Sequence, residues 1–262
     1  MISLTSAQWN EWLALLIFPL TRILALVATT PLLGDQEVPQ QVRIGLSLIL
    51  TLVLAPTLPG PLGIEPASAQ GLLILAQQIL IGAIMGFSIR LVYGAVAMTG
   101  ELAGLQMGLG FASFYDPQNA SFQPLIAQFM GTLLSLIFLS MNGHLLVLAA
   151  LADSFRILPI QNSGTLQALG LHTLLGTAGG LFADAVQMAL PLLGALIMTN
   201  FSLGILTRSA PQLNLFVVGF PITLAVGFVV LTLSFPYFVP LAERYLHASL
   251  HSIHQILQQL RP

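Results

Sequence analysis

The sequence predicts an all-α integral membrane protein with about six hydrophobic helices or helical hairpins plus an amphipathic C-terminal helix. Three observations carry that prediction. Seven Arg and nine acids, with no Lys, make up only 6% of the 262 residues, against roughly 25% in a soluble domain. The hydrophobic share is 56% and the mean hydropathy is +0.92. The apolar residues are gathered into blocks near the ~20 residues that a helix needs to cross a bilayer.

This composition excludes a soluble enzyme, a disordered chain and a basic nucleic-acid binder. The absence of Cys excludes a disulfide framework, a thiolate-held metal and a thiol nucleophile. The absence of Lys excludes a P-loop or Schiff-base lysine. Residues 1–10 carry no basic residue ahead of the first apolar run, so no cleaved signal peptide is expected. No long polar stretch interrupts the chain, and residues 1–262 read as one membrane domain.

The blocks follow in order. Residues 12–33 form the first and contain Arg22; a polar turn follows at 34–39. Residues 42–58 form the second, closed by Pro56, Pro59 and Pro61. Residues 71–98 form the third and carry Arg90. Residues 122–151 form an uncharged fourth block, and 153–172 a more polar connection. Residues 174–206 form the fifth, with Asp184, and 215–241 the sixth. In the tail, 243–262, Leu246, Leu250, Ile253, Ile256, Leu257 and Leu260 recur at helical spacing opposite His and Gln. That pattern predicts a helix lying on a membrane or on a partner. Arginines fall in loops on both sides, so the positive-inside rule sets no orientation.

The chain has no HExxH, no GxGD pair, no GxSxG serine and no Walker lysine. His247, His251 and His254 share one helical face, which reads as the polar side of the tail rather than a metal site. No enzyme activity, metal or cofactor is expected.

Four features stand out. Glycines recur at helix-contact spacing: Gly82/Gly86, Gly100/Gly104/Gly108 and Gly176/Gly180. Small residues four apart let backbones approach, within one chain or between subunits. Second, Arg22, Arg90, Glu101 and Asp184 sit inside apolar blocks. Each would cost at least about 2.5 kcal/mol at a bilayer centre, so each needs a partner or a wet cavity. For Arg22 and Asp184 a structural ion pair is expected ahead of a transport role. Arg90 and Glu101 are about three turns apart and cannot pair along one straight helix.

Third, residues 104–123 are Gly-rich at their start, aromatic in their middle and closed by Asp116-Pro117. Those glycines weaken a helix, and Pro117 holds Asp116 extended. A non-helical loop bearing Met107 and Phe111 at membrane depth must be buried in protein or line a cavity, as a gate would. Fourth, Arg208 to Pro221 reads RSAPQLNLFVVGFP. Pro211 suits a helix start, and the Gln212 and Asn214 amides want partners. This segment reads as a hairpin tip.

Residues 108–117 (GLGFASFYDP), Asn142-Gly143-His144, residues 151–159 (LADSFRILP) and the 208–221 string together resemble the FliR family of flagellar type III secretion. The match spans nearly the whole chain, and injectisome homologues share much of it. The resemblance implies a single-copy subunit that assembles with FliP-like and FliQ-like chains into a pore in the bacterial inner membrane, within the flagellar basal body. It implies a FliP-like part over about 1–160 and a FliQ-like part over about 161–262. FlhB-like and FlhA-like proteins are implied neighbours, and unfolded exported polypeptides the cargo. It also implies that apolar blocks bury against partner subunits instead of crossing lipid. The implied pore plug is residues 108–113, namely Gly108, Leu109, Gly110, Phe111, Ala112 and Ser113, with Met107 as a deformable seal beside it. An apolar constriction of this kind dewets and blocks ions. Arg22, Arg90, Glu101, Asp184, Arg208, Gln212 and Asn214 are the candidate intersubunit polar contacts. The alternatives are a virulence-type injectisome subunit and a small-molecule secondary transporter using Arg22, Arg90 and Asp184. The chain lacks the internal inverted repeat common in transporters.

Overall fold

The computed structural model describes residues 6–35, 38–58, 63–110, 124–160, 166–210 and 215–261. Among them the regular structure is helical: α1 (Ser6–Thr29), α2 (Gln40–Leu54), α3 (Ala69–Gln106), α4 (Leu125–Ser140), α5 (Gly143–Ile157), α6 (Ala168–Ser209) and α7 (Leu215–Gln259). A single 3-10 turn, Ala55–Thr57, extends α2. Five of these helices are long and apolar enough to cross a membrane, or six spans if α4 and α5 count as one broken span.

The blocks read from hydropathy map onto these helices with three differences. The uncharged fourth block is two helices. Asn142 takes a left-handed conformation, φ 56°, and ends one helical path where Gly143 begins the next. Asn tolerates that region better than other L-residues because its short polar side chain bonds locally. The sixth block and the tail are one helix of 45 residues, α7. Pro221, Pro236 and Pro240 lie inside it, each removing one i→i−4 bond without ending the helix. Third, Gly104, Leu105 and Gln106 are still helical, so the irregular stretch begins at Met107.

The chain divides into two compact units, each assembled from separate stretches. The first contains residues 1–91, 142–178 and 247–262. Its core includes Phe18 and Ile23 of α1, Ile74 and Met85 of α3, Leu151 of α5 and Ile256 of α7. α1 and α3 approach backbone to backbone, because a Cβ on Gly82 would stand 2.1 Å from the Arg22 carbonyl oxygen. The tail is buried here. Ile253, Ile256, Leu257 and Leu260 are at most 1% exposed. The Ser249 Oγ donates to the Ser88 carbonyl at 2.8 Å, and the Gln167 N–H to the Leu260 carbonyl at 3.2 Å. The tail's apolar face is therefore covered by this chain's own α3 and α6 segments. The expectation of a helix lying on a membrane is corrected on that point. His247, His251 and His254 are on the exposed side.

The second unit contains residues 92–141 and 179–246. α3 and α4 meet tightly, since a Cβ on Gly100 would lie 2.5 Å from Ala127 Cα. The Thr99 Oγ1 donates across to the Ala185 carbonyl at 3.0 Å, joining α3 to α6. Gly82 and Gly100 thus serve packing within the chain. Gly176 and Gly180 have open space where a Cβ would be.

Candidate functional site

The residues after α3 form a Schellman stop. Gly108 N–H bonds the Leu105 carbonyl at 3.1 Å, and Leu109 N–H bonds the Gly104 carbonyl at 3.0 Å. This pair of bonds requires a left-handed residue at the position one beyond the helix cap Met107. Gly108 fills it with φ 81°, a conformation that costs an L-residue and costs glycine nothing.

The turn packs against the start of α7, within the second unit. Met107 is fully buried, and its side chain occupies the space that a Cβ on Gly227 would need, 2.5 Å from its Cγ. The Thr223 Oγ1 reaches the Met107 carbonyl at 3.4 Å and the Phe220 carbonyl at 3.0 Å. A Cβ on Gly108 would lie 3.1 Å from the Phe220 ring. On the other side, the Asn200 Nδ2 donates to the Gln106 Oε1 at 3.3 Å. Two segments a hundred residues apart in sequence, the glycine-rich stretch and the Gly219-Phe220-Pro221 string, therefore meet at one place. Sequence reading singled out both but did not pair them. It also missed Thr223 and Gly227, whose only signal is that they follow Phe220 at helical spacing.

Of the plug residues, Met107 to Gly110 are seen: Met107 is buried, and Gly108, Leu109 and Gly110 are half-buried. Phe111, Ala112 and Ser113 lie outside the described residues, as do Gln212 and Asn214.

The charged residues in apolar blocks divide sharply. Arg90, Glu101 and Arg208 are exposed on the surface of the chain. Asp184 is half-buried and shares a side-chain hydrogen bond with Tyr245, whose hydroxyl also reaches the Gln187 Oε1 at 3.1 Å. Arg22 is fully buried. Its Nε donates to the Gln78 Oε1 at 2.8 Å, Nη1 to the Ser154 Oγ at 3.0 Å and Nη2 to the Leu158 carbonyl at 2.8 Å. Its guanidinium lies over the Phe155 ring, 4.2 Å from the centroid. The expected ion pair is replaced by neutral acceptors and an aromatic face. The physical reason is position: Leu158 is the residue that caps α5, and a helix C-terminus presents unpaired carbonyls with partial negative charge. Arg22 satisfies one of them, that of Leu158, from α1, while Gln78 completes the shell from α3. Gln78 carried no sequence signal, and Ser154 and Phe155 stood out only as members of the 151–159 string, with nothing to pair them with Arg22.

Two cavities open in the second unit. One of about 70 Å³ is lined by residues such as Thr99, Met130, Gln187 and Pro191. The other, a groove of about 480 Å³, runs beside Leu125, Phe129, Phe228 and Phe235. No charged side chain lines either. Among the described residues no three His, Cys, Asp or Glu side chains are grouped to hold a metal ion.

Residues 13–249 match the family described as bacterial export proteins, family 1. The chain is 38% identical over 260 residues to the flagellar biosynthetic protein FliR of Escherichia coli, covering 99% of each chain. It is 42% identical over 261 residues to the protein of that name from Pectobacterium carotovorum, covering 98% of each. With its counterpart from Bacillus subtilis the identity is 33% over 221 residues, covering 83% of each.

Proposed function

This chain belongs to the bacterial export proteins, family 1, and we propose that it is a non-catalytic, pore-forming subunit of a flagellar type III protein export gate. One observation carries the reading: relatives named as flagellar biosynthetic protein FliR align over 98–99% of the chain. The helices add a physical argument. α6 and α7 hold 42 and 45 residues, about 63 and 68 Å at 1.5 Å per residue. A bilayer core of ~30 Å cannot cover helices of that length end to end. Phe182, Met198 and Phe201 of α6 and Leu233 and Tyr237 of α7 nonetheless stand 62–78% exposed. Neighbouring subunits are the cover that fits.

In this reading the chain assembles, as a single copy, with FliP-like and FliQ-like subunits, its first ~160 residues standing in for one and the remainder for the other. FlhB-like and FlhA-like proteins adjoin the assembly in the inner membrane at the flagellar basal body. Residues 108–113 plug the closed pore, and the Schellman turn at Gly108 with buried Met107 is the anchored base on which that plug swings. The surface charges Arg90, Glu101 and Arg208, with half-buried Asp184 and the amides Gln212 and Asn214, meet other subunits. Arg22 instead holds its own chain together.

The test is co-expression with FliP-like and FliQ-like partners, extraction in mild detergent and native mass measurement. One discrete complex with a single copy of this chain is the expected result. A stable lone monomer or homodimer, indifferent to those partners, would sink the reading in favour of a transporter built on Arg90 and Asp184.

A further inference from the structure

α2 is built inside out. Its buried residues are Ser47 and Thr51, both fully covered. Each satisfies its hydroxyl on its own helix, Ser47 Oγ donating to the Arg43 carbonyl and Thr51 Oγ1 to the Ser47 carbonyl, both at 2.7 Å. Val42, Ile44, Leu48, Ile49, Leu52 and Val53 are 40–65% exposed. At 100° per residue these six span roughly half the circumference. The partner on the inner side is α1, which packs along α2. The fully buried positions are therefore small and hydroxylic, with Leu46, Leu50 and Leu54 half-buried beside them, and the most exposed positions are large branched aliphatics. That is the reverse of a helix docked on a soluble core. It is the order expected of a membrane helix with one side on protein and one side on lipid, since helix contacts in membranes favour small residues.

Length and end groups agree. Gln40–Thr57 is 18 residues, 11% of them buried, about 27 Å of helix at 1.5 Å per residue. That matches the ~30 Å hydrocarbon core, which α3, α6 and α7 all exceed. At one end stand exposed Gln40 and Gln41, with Arg43 donating from Nη2 to the Asp35 carbonyl. At the other, the turn Ala55–Thr57 contacts α1, and exposed Trp9 and Trp12 mark the start of that helix. Amphipathic indole rings at one boundary and a long basic side chain at the other are the usual anchors of a span.

We propose that the Val42–Ile44–Leu48–Ile49–Leu52–Val53 face of α2 is this chain's permanent lipid-facing surface. Acyl chains cover it, and the α1–α2 hairpin sets the depth of the chain in the bilayer, with Trp9 and Trp12 at one interface and Arg43 at the other. The faces of the longer helices are covered by protein. The inference needs a bilayer but not the flagellar assignment.

The chain has no Cys, so a single introduced Cys gives a unique label. Full-length Ile49→Cys, Leu52→Cys and Phe201→Cys, each purified with the subunits that accompany it, are nitroxide-labelled and placed in nanodiscs of phosphatidylethanolamine and phosphatidylglycerol. Labels at 49 and 52 should relax several-fold more strongly with oxygen than with a water-soluble nickel chelate. The label at 201 should respond weakly to both. Weak response to both reagents at 49 and 52 would mean protein covers α2 and would overturn the proposal. So would a nickel response there, which would place the face in water. Val53→Cys repeats the measurement should either variant fail to accumulate. Failure of the export-gate reading would change which subunits co-purify and leave the labels at 49 and 52 in lipid, so the two outcomes are separable.

Discussion

The guanidinium of Arg22 lies 4.2 Å from the centre of the Phe155 ring, a cation stacked on an aromatic face with both groups buried. Phe155 belongs to the last turn of α5, and the same guanidinium reaches the Leu158 carbonyl just beyond it. Arg22 thus joins α1, α3 and the end of α5 through one planar group.

Replacing Arg22 should destabilise the chain more than its single charge would imply. Arg22→Leu strands the Gln78 side chain and the Leu158 carbonyl without donors, and a loss of about 2–4 kcal/mol is expected. Arg22→Lys should recover little, because one ammonium cannot reach three acceptors that a planar fork spans. Thermal unfolding of the purified variants measures both. A lysine variant as stable as the parent would show that charge alone matters.

Two glycine substitutions should have opposite signs. In Gly82→Ala the new methyl would sit 2.1 Å from the Arg22 carbonyl oxygen, which is backbone and cannot turn aside. Separating α1 from α3 should cost about 1–3 kcal/mol. At Gly180 nothing lies within 4 Å, so Gly180→Ala in the isolated chain should gain up to ~1 kcal/mol from helix propensity. Denaturation of the two variants side by side checks the contrast.

Met107 is the larger buried member of the turn after α3. Met107→Ala should cost about 2–5 kcal/mol by opening a cavity beside Gly227. Gly227→Ala should be milder, because what stands in its way is side chain and not backbone: Met107 Cγ, Sδ and Cε, at 2.5–2.8 Å, must take another rotamer. Unfolding midpoints of the single variants, compared with the double variant, test whether the two sites are coupled.

Gly108→Ala forces a β-carbon into the left-handed region and against the Phe220 ring. About 1 kcal/mol of local stability should be lost. The expected functional result is altered ion leak or export with assembly retained, and deletion of residues 108–113 should exaggerate it. Conductance across membranes holding the assembled complex, with secretion of an exported protein, reads both. Unchanged leak and unchanged secretion after that deletion would falsify the plug.

How far the sequence reached is best seen at particular residues. Block positions for α1, α2, α3 and α6 agree with the helices to within several residues, since hydropathy needs only composition. The break at Asn142 was missed because one residue in a left-handed conformation leaves the hydropathy on either side unchanged. The join between the sixth block and the tail was missed because Pro236 and Pro240 read as stops, while the helix runs on through both with Phe238 and Ala242 packed on its inner side and the prolines exposed. At the candidate gate, the Gly-rich stretch and the 208–221 string were both legible as unusual.

The sequence alone settled the solvent class, the helical content and the family, because each depends on composition, periodicity or a specific string of residues. Tertiary structure decided what each exceptional residue does. Arg22 and Arg90 look alike in sequence, yet one is enclosed by Gln78, Ser154 and Phe155 and the other is exposed. The tail and α2 both look like amphipathic or apolar helices, yet one turns its Leu and Ile inward and the other turns them out. Hydropathy cannot separate these cases, because lipid and protein interior are equally apolar, and only the position of neighbouring helices says which of them a side chain meets.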